Sequence, residues 1–132
     1  MTTLVVDTDV ASYIFREHPL AQHFLHLTTG HDLVLSFMTV AELEEWPLRN
    51  NWGKARRRRL ADYIDRYRIV YVDRDLCRRF ARTRADILGK GDPVETRDIW
   101  IAATALSLNA PVVTNNVKHF RLFSRLKILT AR

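Results

Sequence analysis

Apolar positions along the chain follow two periods. Four short apolar runs, Leu33 to Ser36, Ile69 to Val72, Val112 to Thr114 and Lys127 to Thr130, are too brief for helices and read as strands. A fifth, Leu4-Val5-Val6, stops abruptly on Asp7 and reads as a buried strand ending in an acid. Between the runs the spacing turns helical. Val10, Tyr13 and Ile14 predict a short helix with Thr8 or Asp9 as its cap, and Leu20, Phe24 and Leu27 a second amphipathic face. Thr39 opens a helix whose Thr-x-x-Glu spacing puts Glu42 in the first turn and which Pro47 interrupts. Residues 51–67 predict another, with Leu60, Ile64 and Tyr67 inward. Asp75 then caps a helix with Leu76, Phe80, Ile87 and Leu88 inside and Arg78, Arg79, Arg82 and Arg84 outside, ending near Gly89 and Gly91. The next helix starts at Asp92 or at Thr96, keeps Asp98 in its first turns, and is apolar nearly all round from Ile101 to Leu108. It is therefore the best-buried helix, and Asn109 and Pro111 end it.

Short strands alternating with helices predict an α/β domain of three layers around a central parallel sheet, with right-handed crossovers. In such a sheet reactive groups collect outside the carboxyl ends of the strands, which puts Asp7 at the mouth of that crevice.

Composition narrows the setting. A chain of 132 residues, 47% hydrophobic, suits a single domain spanning residues 1–132. Asp7 and Asp9 break the only apolar N-terminal run, and no stretch approaches the roughly 20 apolar residues of a membrane span, so a soluble protein away from the membrane is expected. Cys77 is the sole cysteine, which excludes an internal disulfide and a thiolate cage and suits the cytoplasm. The formal net charge of +6 favours a polyanionic partner, nucleic acid first.

Asp7, Glu42 and Asp98 each stand at a strand end or near a helix start, the geometry that faces one crevice. Three carboxylates there repel unless a cation lies among them, and oxygen ligands with open water positions suit Mg²⁺ or Mn²⁺. Taken singly, each acid has a plainer role. Glu42 fits a capping box with Thr39, Asp98 complements a helix dipole, and Asp9 is a cap rather than a ligand. Their joint occurrence points to a metal-dependent hydrolase. Lys54, Arg56, Arg57, Arg58 and Arg59 form either a solvated helical face or a track for nucleic-acid phosphates. His18, His23, His26 and His31 lack ligand partners, His119 lies nearer the acids but reads equally as a turn cap, Trp46 and Trp52 read as packing residues with base stacking or a partner's side chain as the alternative, and Trp100 reads as core.

The order Val6-Asp7-Thr8-Asp9, Ser36-x-x-Thr39-x-Ala41-Glu42-Leu43, Asp98-x-x-Ile101-Ala102-Ala103-Thr104-Ala105 and Val113-Thr114-x-Asn116-x-x-His119-Phe120 resembles that of PIN-domain ribonucleases, specifically the VapC toxin group. The resemblance spans essentially the whole chain. It implies strand order 3-2-1-4-5, Mg²⁺-dependent endoribonuclease activity on RNA, a homodimer and a VapB-type antitoxin as partner. Asp7, Glu42 and Asp98 match the family's three acidic metal positions, and Asn116 falls at the fourth, often an aspartate. Two rivals stand beside this reading. Asp7-Thr8-Asp9-Val10 resembles the nucleophile motif of haloacid-dehalogenase-type phosphatases, but Asp92 and Asp98 precede Thr114 where that family's acidic motif follows it. The other is a catalytically weak PIN fold that binds RNA or a protein through its arginines.

Overall fold

The computed structural model describes residues 2–91 and 93–131. Its centre is a five-stranded parallel sheet in the order β3-β2-β1-β4-β5, as the resemblance implied. The strands are β1 (Thr3–Val6), β2 (Asp32–Ser36), β3 (Arg68–Val70), β4 (Val112–Val113) and β5 (Ile128–Leu129). The described residues form seven helices among them: α1 (Thr8–Phe15), α2 (Ala21–Thr28), α3 (Phe37–Arg49), α4 (Lys54–Ile64), α5 (Arg74–Leu88), α6 (Thr96–Leu108) and α7 (Val117–Phe120).

Side chains along a strand alternate between faces, so a continuous apolar run supplies two cores. Leu4, Val6, Leu35 and Val113 pack with Val10, Phe24, Leu43, Leu60 and Ile64 on one face. Val5, Val34 and Val112 pack on the other with Ile87, Ile99, Ile101, Ala102 and Phe120. Helix α6 is apolar nearly all round, and every residue from Ile101 to Ala105 is buried.

Several boundaries differ from the sequence expectations for local reasons. Asp7, not Thr8 or Asp9, caps α1, because its carboxylate accepts the Thr8 amide at 2.8 Å. Ser36 caps α3 by accepting the Met38 amide at 3.1 Å, so the helix starts at Phe37 and Glu42 lies in the second turn, outside a capping box. Pro47 does not interrupt α3. It is buried inside the last turns, where its missing N–H removes one bond close to the end and Trp52 N–H still reaches its carbonyl at 3.0 Å. Helix α4 is shorter than the 51–67 segment, since Gly53 is its cap and Asp65 ends it. Asp73 caps α5 through the Leu76 amide at 2.8 Å, leaving Asp75 to pair with Arg78. The inner line of that helix runs 76, 80, 83, 87, so Thr83 is inside and Leu88, one step round the helix, is 68% exposed. Strand β3 ends at Val70, leaving Tyr71 and Val72 exposed. Helix α6 starts at Thr96, and the alternative cap Asp92 lies outside the described residues. No helix among the described residues is long and apolar enough to cross a membrane.

Candidate active site

Strand order reverses between β1 and β4, and the crevice beyond their carboxyl ends is where an open parallel sheet offers a site. Asp7 sits there because its amide still continues the β1–β4 ladder to the Val113 carbonyl at 2.9 Å while its side chain starts α1. It is 1% exposed. One carboxylate oxygen accepts the Thr8 N–H, and the other accepts the Thr114 hydroxyl at 2.7 Å. The start of α1 and the end of β4 thus hold this buried acid by one oxygen each.

Asp98 arrives from α6, at the third helical residue after the cap Glu95, and is 2% exposed. Burial pushes its pKa up to about 6, with Arg97 and His119 opposing and Asp7 adding to the rise. His119 Nδ1 of α7 stands 3.5 Å from its second oxygen. Glu42 comes from α3 and is half-buried, and its Oε1 accepts the Thr8 hydroxyl at 2.6 Å. That hydroxyl also shares a 3.0 Å hydrogen bond with Thr39. The Thr-x-x-Glu pair therefore meets at Thr8, not at the end of a helix.

All three acids face one guanidinium. Arg97 Nε donates to Glu42 Oε2 at 2.6 Å and Nη2 to Glu42 Oε1 at 3.1 Å, while Nη1 donates to Asp98 Oδ1 at 2.5 Å. Nη2 also lies 3.6 Å from Asp7 Oδ1. Burial alone opposes the charge on Arg97, but the hydrogen bonds and attraction of Glu42, then of Asp98 and Asp7, outweigh it and raise its pKa above the ordinary value. Sequence reasoning passed over this residue. A signal was present, because a cation at the second position of a helix opposes the positive end of the helix dipole unless acids gather round it.

The fourth position is occupied differently. Asn116 directs its side-chain N–H to Asp9 Oδ2 at 3.1 Å, and its backbone N–H donates to the Thr114 hydroxyl. Asp9 also accepts the backbone N–H groups of Val10 and Asn115. Burial first, then the neighbouring Asp7 charge, pushes the Asp9 pKa up to about 7. A fourth carboxyl group thus adjoins the crevice from α1.

The donor chemistry of Asp7, Glu42 and Asp98 fits a hard divalent cation, since three carboxylates already surround a positive group. Among the described residues, no three His, Cys, Asp or Glu side chains converge closely enough to share an ion. A groove of about 350 Å³ leads away past Thr8, Ser12, Glu42, Trp46 and Arg49. Trp46 meets Trp52 at 4.8 Å, and Arg56 lies 3.9 Å over the Trp52 ring. Lys54, Arg56, Arg57, Arg58 and Arg59 are all exposed at the start of α4, and no ion pair or hydrogen bond among the described residues joins them to the acids.

The family model described as the PIN domain matches residues 4–126. The chain is 29% identical over 125 residues to Ribonuclease VapC1 of Haemophilus influenzae (strain R2866), covering 93% of each. Its fold is similar to that in the structure of VapBC-1 from nontypeable Haemophilus influenzae, with a TM-score of 0.80, 27% identity and 98% of each chain covered. It is also similar to that in the structure of VapBC2 from Rickettsia felis bound to a promoter DNA fragment, with a TM-score of 0.86, 22% identity, and 99% of this chain and 100% of that one covered. These likenesses favour neither the phosphatase alternative nor the non-catalytic one.

Proposed function

Because the chain belongs to the PIN-domain family, within its VapC group, we propose that it is an endoribonuclease that hydrolyses RNA phosphodiester bonds at the crevice of Asp7, Glu42 and Asp98, and that it is the toxin of a toxin–antitoxin pair. The observation that carries this reading is the convergence of three carboxylates, from β1, α3 and α6, on one cation at the point where strand order reverses. Asp7, Glu42 and Asp98 would hold Mg²⁺, with Mn²⁺ as a substitute, and the ion would supply an activated water and neutralise charge building on the phosphate.

The chain's own groups have separable roles. Thr114 and the Thr8 amide hold both Asp7 oxygens, so that carboxylate is pre-oriented. The Thr8 hydroxyl does the same for Glu42. Burial holds the Asp98 pKa near 6 in the metal-free chain, and a cation bound there would favour its ionised form, while His119 Nδ1 lies 3.5 Å from its second oxygen. Asn116 acts on this group through Asp9 and Thr114. The groove past Trp46 would guide the RNA, and the α4 basic run beyond it would follow the phosphates.

The solved relatives described as VapBC complexes support a small VapB-type antitoxin as partner, and a homodimer belongs to the same reading. Total RNA incubated with and without Mg²⁺, followed by mapping of the new ends, tests the activity. Cleavage should need the divalent ion and be abolished in Asp98→Asn, which should melt no lower than the parent in EDTA because one buried charge is gone. Undiminished cleavage by that variant would remove Asp98 from the site. An inactive chain that still retained RNA in EDTA would support the binding-module reading instead.

A further inference from the structure

Arg97 uses all three guanidinium nitrogens on the acids, with Nε and Nη2 forming a fork on Glu42, Nη1 on Asp98, and Nη2 also facing Asp7. Its side chain is 26% exposed, so its charge is largely withdrawn from solvent and neutralised by protein groups. Position in the helix makes the arrangement costly in isolation. The second residue of α6 lies at the positive end of the helix dipole, where a cation is disfavoured, so the acids must supply the compensating attraction.

From this geometry we propose that Arg97 is a resident counter-ion that competes with divalent metal for the crevice, filling it in the metal-free chain and withdrawing when the ion binds. The inference rests on the metal-binding reading of Asp7, Glu42 and Asp98 given above. Its physical basis is mutual exclusion. The oxygens that Arg97 holds are the ones a metal would need, and a guanidinium within a few ångströms of a divalent ion is repelled by it. Glu42 links the two states, because it gives up two hydrogen bonds to Arg97 while keeping the one from Thr8. The side chain thereby offsets acid–acid repulsion when no metal is present and weakens the affinity for metal.

Calorimetric titration of the whole chain with Mn²⁺, with melting curves in EDTA and in Mg²⁺, tests this on the parent, Arg97→Gln and Arg97→Lys. Arg97→Gln should bind Mn²⁺ tighter by roughly tenfold or more, the effect of removing a unit charge a few ångströms from the ion. It should melt lower than the parent in EDTA and gain more from Mg²⁺. Arg97→Lys keeps the charge but loses the planar fork, so its affinity should fall between the other two, and it serves as the folded variant if the glutamine form melts out. Parent-like or weaker Mn²⁺ binding in both variants would overturn the competition alone. Absence of binding in parent and variants alike would overturn it together with the metal site on which it rests.

Discussion

Asp9 gives the site a pH signature that can be read on a single side chain. Burial, and then the adjacent Asp7, raise its pKa from the ordinary 3.8 to about 7. Between those values the folded chain holds a proton that the unfolded chain has released, so this residue's contribution to stability is complete below about pH 4 and is lost as pH rises through 7. Asp98 acts in the same direction up to about pH 6. In EDTA, the melting temperature of Asp9→Asn minus that of the parent should increase from pH 4 to about pH 7 and level off by pH 8, whatever fixed cost comes from rearranging the bonds to Asn115 and Asn116. Calorimetry across that range decides it, and a flat difference would mean that Asp9 ionises in the fold as it does in water.

The elements that deliver the acids are held by a few buried polar ties as well as by packing. Helix α4 is fastened to α1 by the Tyr63 hydroxyl, which donates to the Ala11 carbonyl at 2.9 Å and meets the Tyr67 hydroxyl at 2.6 Å. Burial is the main reason both phenols have pKa values above the ordinary range, so they remain neutral donors and acceptors at any working pH. The ring of Tyr63 also lies 5.4 Å from Phe15 at the end of α1. Tyr63→Phe keeps that apolar packing but leaves the Tyr67 hydroxyl and the Ala11 carbonyl short of a partner. It should cost about 1–3 kcal/mol. The urea midpoint should fall with the slope of the transition unchanged, and an unmoved midpoint would show that the tie contributes nothing to holding α4.

For the molecule as a whole, the excess of positive charge survives even though the acids gather in one crevice, and the α4 run at residues 54 and 56–59 is fully on the surface. Replacing Arg56, Arg57, Arg58 and Arg59 by glutamine should weaken association with a labelled single-stranded RNA in EDTA. The salt dependence should become shallower by roughly 0.7 in logarithmic slope for each phosphate that is no longer neutralised. Metal affinity should stay close to the parent's, because these side chains are exposed and their charge is screened by salt. Fluorescence anisotropy at several salt concentrations measures the slope, and an unchanged slope would return these arginines to a solvated face.

What the sequence determined by itself was everything that depends on local period and residue type. Unbroken runs such as Val5-Val6 and Val112-Val113 read as doubly covered strands, the nearly all-round apolar pattern of 101–108 as a central helix, and an acid closing a buried strand marked Asp7 before any neighbour was known. Chain order then carried Glu42 and Asp98 toward the same mouth, because parallel strands present all their carboxyl ends to one side. Caps were less legible. Ser36, Asp7 and Asp73 each compete with an equally suitable neighbour, and only the backbone path selects the oxygen that meets an amide. Tertiary structure alone decided the polar contacts across the crevice. Thr8 reaches Glu42 over 34 residues, Thr114 reaches Asp7 over 107, and Arg97 reaches Glu42 over 55. Such bonds have no period. They depend on where three separate elements end in space, so a charge beside Asp98 in the sequence becomes the counter-ion of the whole site only once α3, α6 and β1 have packed.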